Sequence, residues 1–229
     1  MYNQIHTNQN ESTFFAHVFG WMSAGLGVTA GTAYYIAYQQ PQILQHIIQS
    51  PWLLIALFLV QIGLVVSLAS LAPSLPFGVA LSVFFGYAML NGVTLSSIVF
   101  EYTQESLALT FGIAAAMFLV MALFGYTTRI NLAPVGIFGI MALCGIIIAS
   151  IVNLFLKSST MELVLSAVGV VVFAALTAYD IQKLRMLPQI VSTQNRRLTN
   201  LGLLGALMLY LDFINLFIML LRFTGNRRD

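Results

Sequence analysis

Long apolar runs alternate with short polar or proline-bearing breaks along the whole chain. The runs fall near residues 17–38, 52–72, 77–100, 107–127, 134–156, 162–182 and 200–221. The breaks read QQPQILQHIIQSP, APSLP, EYTQES, TRINLAP, KSSTME and a polar stretch from Lys183 to Asn200. Each run supplies roughly the 20 residues that a helix rising 1.5 Å per residue needs to cross hydrocarbon. The pattern predicts an all-α integral membrane protein with seven transmembrane helices in a single domain over 1–229. It leaves a polar N-terminal tail at 1–16, a polar loop at 183–199 and a C-terminal tail at 222–229. The link Pro73–Ser74–Leu75–Pro76 is too short for anything but antiparallel neighbours. No internal repeat stands out, which counts against an inverted-repeat transporter. Ser23, Gly27 and Gly31 recur at every fourth position of the first run, a spacing expected to serve close packing inside the bundle rather than a dimer face.

Composition narrows the class. Of 229 residues 59% are hydrophobic and only 7% charged, against about 25% charged in an average soluble domain. Such a chain cannot cover its surface with water-compatible groups, which excludes a soluble enzyme and a disordered tail. Nine basic and seven acidic residues give a net charge of +2, too little to attract nucleic acid. The single cysteine, Cys144, lies in an apolar run and cannot form an intrachain disulfide. Lys and Arg counts barely orient the chain. Arg129, Lys183, Arg185, Arg196 and Arg197 fall on the N-terminal side, and Lys157, Arg222, Arg227 and Arg228 on the other. The density of the Lys183–Arg197 cluster favours an N-terminus inside and a C-terminus outside.

Ionisable residues at membrane depth are costly and usually mark function. Asp212 sits in the middle of the last run, in LYLDFINLF, and Asp180 near the end of the sixth, in LTAYDIQKL. Helical spacing puts Gly205, Met208, Asp212, Asn215 and Met219 on one face of the last helix, expected to face the interior. Leu203, Leu207, Ile214, Ile218 and Leu221 are expected to face lipid. Thr177 shares the face of Asp180, and Lys183 lies one turn on, in reach to pair or snorkel. Antiparallel neighbours can bring the two carboxyls together. Two carboxylates in one site cannot both ionise cheaply, so such a pair holds a proton and acts as a proton-sensitive switch. Tyr87, Asn91, Thr94 and Glu101 form a second polar stripe on the third run. With Asp212 and Asn215 they are candidates to line a hydrated path or to offer hard oxygen ligands to a cation, and otherwise to hydrogen-bond between helices.

Several chemistries are absent from the pattern. No histidine lies mid-run for haem, zinc or a Ser–His hydrolase, and no lysine lies mid-run for a retinal Schiff base. There is no phosphate loop and no HExxH. Intramembrane aspartyl proteases share the Tyr-Asp seen at Tyr179–Asp180, but their second aspartate follows Gly-x-Gly, whereas here it stands in Tyr210–Leu211–Asp212. Neither an enzyme nor a resident cofactor is expected.

AYDIQKL and LYLDFINLFIMLLRFTG resemble the Bax inhibitor-1, or transmembrane Bax inhibitor motif, family. FGWMSAGLGVTA, LNGVTLSSIVFEYT and FGYTTRINL extend the likeness over nearly the whole chain, towards bacterial inner-membrane members. The resemblance implies a seven-helix fold with the last helix surrounded by the other six. It implies a pH-sensitive passive calcium leak gated by a hydrogen-bonded aspartate pair, carried over here to Asp180 and Asp212 as gate and tentative calcium ligands. Some bacterial members add an arginine latch at the end of the second span. VSLASLAPSLP has no basic residue there, leaving Lys183 or Arg185 as substitutes, or closure by the aspartate pair alone. The family also includes eukaryotic members linked to suppression of cell death and bacterial members linked to inhibition of a membrane-bound protease. A non-conducting membrane modulator or scaffold is therefore the alternative to the leak.

Overall fold

A computed structural model of the chain describes the backbone of residues 2–71, 74–190 and 195–228, with side chains over 11–50, 52–71, 74–187 and 199–228. Eight α-helices follow in order: α1 (Tyr2–Gln39), α2 (Pro41–Gln49), α3 (Pro51–Leu71), α4 (Phe77–Glu101), α5 (Gln104–Thr127), α6 (Ala133–Leu156), α7 (Ser159–Ile190) and α8 (Asn195–Thr224). Among the described residues, six of them, α3 to α8, are long and apolar enough to cross a membrane. The first expected span lies within α1, which is helical but outside that six. Its interior is diluted by Gly, Ser and Thr, so the count of seven rests on the sequence reading alone.

Two expected polar connections are largely helical. The 1–16 tail is the start of α1 from Tyr2 on, and α7 runs through the expected loop to Ile190. Residues 191–194 lie outside the described residues. The break after the first run holds an extra helix, α2, started by Pro41 at its first turn, where a missing N–H is harmless. Leu44 and Ile47 of α2 pack with Ile36 of α1.

The described residues form two compact units. One comprises those within Met1–Tyr102, Pro188–Tyr210 and Arg228. Its core gathers Val18, Phe84, Leu203, Leu207, Leu209 and Tyr210, all essentially inaccessible. Phe84 and Tyr87 meet the Tyr210 ring edge-on, with centroids 5.9 Å and 5.8 Å away. The glycines that permit close approach here are not those of the sequence stripe. A Cβ at Gly92 would lie 2.7 Å from the Thr29 carbonyl oxygen, whereas one at Gly27 or Gly31 would meet nothing within 4 Å. Ser23, Gly27 and Gly31 are exposed, so the expectation that they pack inside the bundle fails.

The other unit comprises the described residues within Thr103–Leu187 and Leu211–Arg227. Phe213 is its aromatic centre, edge-on to Phe111 at 5.3 Å and to Phe118 at 5.7 Å. α7 beds into notches left by glycines. A Cβ at Gly125 of α5 would run into the Ala178 backbone, and one at Gly136 of α6 would lie 2.6 Å from the Tyr179 ring. Gly139 receives Leu176 in the same way. At one end, Arg227 bridges to Glu162 at 3.0 Å, and Asn226 donates its N–H to Ser106 Oγ at 2.8 Å.

α8 is the most buried span: 61% of its most apolar stretch is buried, against 6% in α3. Leu203, Leu207, Ile214 and Leu221 are buried, so the expected lipid-facing leucine stripe does not exist.

The glycine notches are testable. Gly125→Ala forces α7 to shift and should lower stability by about 1–3 kcal/mol, as overpacking does. Gly145→Ala, where a Cβ meets nothing within 4 Å, should hold or raise stability. Thermal melts of both variants in one detergent check this; equal melting temperatures would remove the notch.

Candidate functional site

The expected site residues fall into two groups. Asn91, Thr94 and Glu101 belong to the first unit; Asp180, Asp212 and Asn215 belong to the second.

Asp212 is fixed by α8 on a buried face, 6% exposed, between the buried Phe213 and the half-buried Leu211. Asp180 is half-buried on α7, one residue beyond the Tyr179 ring that sits over Gly136. The two carboxyls lie close enough to act on each other. A carboxyl–carboxyl hydrogen bond requires that one partner carry the proton, since an ionised carboxylate only accepts. The Oδ2 of Asp212 is buried and has no hydrogen-bond partner among the described residues. Such an unmet oxygen marks a site that is not fully satisfied by the protein.

Lys183 is the cation acting on Asp180. Its side chain is exposed, with Nζ 5.9 Å from the centroid of the Tyr179 ring. Arg185 reaches elsewhere, donating Nη1–H to the Tyr126 carbonyl at 2.6 Å and stacking over the Tyr126 ring at 4.8 Å. Of the two expected substitutes for an arginine latch, Lys183 alone is placed to act on the pair. Thr177 is buried and donates to the Phe173 carbonyl of its own helix at 2.8 Å. Asn215 likewise donates to the Leu211 carbonyl at 2.8 Å. Among the described residues, no group of three or more His, Cys, Asp or Glu converges.

The polar stripe of α4 is drawn into hydrogen bonds between helices. Thr29 donates its single hydroxyl hydrogen to the Ala88 carbonyl at 2.9 Å. Tyr210 must therefore donate to Thr29 Oγ1, 2.6 Å away, and it accepts from Asn91 Nδ2 at 2.8 Å. Both hydroxyl hydrogens in this neutral cluster have a destination. Thr94 accepts from Gln61 Nε2 at 3.1 Å and donates to the Asn91 carbonyl. The Glu101 side chain is exposed, and its backbone carbonyl accepts from the Arg228 N–H at 2.8 Å. Sequence reasoning missed Tyr210 and Thr29 as hub and partner. The signal available was a tyrosine two residues from an intramembrane aspartate, hidden because tyrosine also reads as ordinary core.

The chain matches the family model described as "Inhibitor of apoptosis-promoting Bax1" over residues 11–229. The inner membrane protein YbhL of Escherichia coli strain K12 is 44% identical over 217 residues, covering 94% of this chain and 92% of its own length. A protein of Borreliella burgdorferi is 43% identical over 220 residues, 96% of this chain and 94% of its own. One from Deinococcus radiodurans is 40% identical over 226 residues, 99% of this chain and 95% of its own. With six apolar spans in the structure, the protein is a multi-pass membrane protein.

The Tyr210 cluster makes a direct prediction. Tyr210→Phe keeps the ring contacts but leaves Asn91 without its acceptor, a loss of about 1–3 kcal/mol for a buried unmet group. The melting temperature of the purified protein should fall accordingly. An unchanged value would mean that the hydroxyl contributes nothing to stability.

Proposed function

Since this chain belongs to the Bax inhibitor-1 family, we propose that it is a passive, pH-sensitive calcium leak of the bacterial inner membrane, gated by Asp180 and Asp212. The observation that supports this reading is the approach of two carboxyls on α7 and α8, one of them buried with an oxygen left unmet. The chain has no nucleotide-binding motif to drive pumping.

The gate follows from elementary electrostatics. While one proton is shared, the carboxyls bridge α7 and α8 and the path is shut. When that proton leaves, two like charges about 4 Å apart at an effective dielectric of about 20 repel by about 4 kcal/mol. The hydrogen bond that closed the gate returns only about 1–3 kcal/mol, so repulsion wins and the helices part. The freed oxygens of Asp180 and Asp212 are then hard ligands for a calcium ion, which completes its shell of six to eight oxygens with water as it passes. Proton release opens the gate, so flux rises with pH.

Calcium entry into proteoliposomes, followed with an enclosed dye across roughly pH 5 to 8, tests the proposal. Wild type should conduct more at the alkaline end. Asp212→Asn keeps a hydrogen bond but cannot repel, so its flux should be lower and flat with pH. Flux that is independent of pH in the wild type would overturn the proposal.

A further inference from the structure

The two ends of the second unit differ in charge. At one, Glu105 and Glu162 stand among Lys157, Arg222 and Arg227, and Arg227 pairs with Glu162 at 3.0 Å. At the other, where α7 passes the α5–α6 turn, the basic residues are Arg129, Lys183 and Arg185, and the chain has no acid over 106–161 or 181–211. Asp180, one turn deeper on α7, acts on Lys183. Arg129 is exposed, and among the described residues no hydrogen bond or ion pair engages its side chain.

The turn that carries Arg129 is a fixed platform. Within it, Thr128 Oγ1 accepts from the Ile130 N–H at 3.3 Å, and Asn131 Oδ1 accepts from the Ala133 N–H at 2.9 Å. From α7, Gln182 donates to the Ile130 carbonyl and accepts from the Leu132 N–H, at 2.8 Å each. Arg185 donates to the Tyr126 carbonyl at 2.6 Å and lies over the Tyr126 ring. Carbonyl and ring are neutral, so they hold the guanidinium without cancelling its charge. The backbone of Arg129 is thus bracketed by two points tied to α7, Tyr126 and Ile130, on the stretch of that helix that bears the other two cations.

Depth narrows the ligand. α5 has 24 residues, about 36 Å of helix against a hydrocarbon core about 30 Å thick. The apolar span of α7, Ser159–Leu187, has 29 residues, about 43 Å, the thickness of a bilayer with its headgroups. The last turn of α5 and the stretch 183–187 therefore reach headgroup level, where a tyrosine such as Tyr126 is at home. Leu123 and Phe124, about one turn back from the end of α5, are exposed, and so is Ile130 beside Arg129. Apolar surface runs up to the cations and stops there. An anion with acyl chains meets both parts of that surface, and a soluble polyanion has no use for the apolar one.

We infer that Arg129, with Lys183 and Arg185 on the adjoining stretch of α7, forms a headgroup site for an acidic phospholipid at the α5–α6 turn. The guanidinium fork of Arg129 suits two phosphate oxygens at once. A zwitterionic headgroup brings its own cation to a surface already positive, so the site discriminates by net charge. It stands whether or not the protein conducts calcium.

Native mass spectrometry of the full chain in a nonionic detergent, titrated with phosphatidylglycerol or with phosphatidylcholine of the same acyl chains, tests this. The first phosphatidylglycerol should bind at least about fivefold more tightly than phosphatidylcholine. Arg129→Gln should remove about that factor, which is what one cation near an anionic surface supplies. Arg129→Lys should recover most of the loss, and Lys157→Gln, at the other end of α6, should cost nothing. Ile130→Ser should weaken the lipid, and inorganic phosphate at equal concentration should not displace it. Equal affinity for the two lipids would overturn the inference. So would a loss as large in Lys157→Gln, which would mean diffuse charge, or no recovery in Arg129→Lys, which would place the loss in the structure of the turn. Displacement by inorganic phosphate would make the ligand a soluble anion and reject the lipid.

Discussion

A carboxyl inside a membrane protein cannot stand alone, and much of the second unit can be traced to that constraint. Asp212 lies on a buried face of α8 and is itself 6% exposed. Its partner must come from protein, and the partner is Asp180 on α7. For the two to meet, α7 has to be held close and in register. The notches at Gly125, Gly136 and Gly139 let α7 come close to α5 and α6, and the Gln182 carboxamide hydrogen-bonds the Ile130 carbonyl and the Leu132 N–H at 2.8 Å each. The glycines are thus part of the chemistry of the aspartates although none touches them.

Two ways of satisfying polar groups at depth occur within three residues of α8. The Tyr210 cluster is neutral: hydroxyl, hydroxyl, amide and carbonyl are joined by hydrogen bonds. A neutral network of that kind is indifferent to pH. Asp212 faces a second acid and keeps an unmet oxygen, and two acids in one site hold a proton that can be removed. The first kind of arrangement suits a fixed anchor and the second suits a movable one.

The spans were legible because hydrocarbon length imposes a coarse and uniform signal, and the aspartates because charge at depth is rare. What escaped sequence reasoning was whatever depends on the neighbour rather than on the helix itself. The stripe Ser23–Gly27–Gly31 had the spacing of a packing face but faces open space, while Gly25, Gly92 and Gly125, in no obvious pattern, do the packing. The leucines of α8 looked like a lipid face because they share one helical side, but Leu203, Leu207 and Leu221 on that side are buried. α2 hid in a break because its nine residues are too few to register beside transmembrane runs.

α3 lies at the other extreme from α8. Gln61 and Leu68 are its only buried residues among those described, and exposed large side chains run from Trp52 to Leu71. A helix in that position is solvated by lipid tails as a solute is by its solvent. Its fit is set by hydrophobic length against bilayer thickness, and mismatch of a few ångströms costs only fractions of a kcal/mol per ångström. Most of its surface can therefore drift among apolar side chains over evolutionary time without consequence for the protein. The composition of the surrounding membrane, in contrast, acts on α3 directly and on α8 hardly at all.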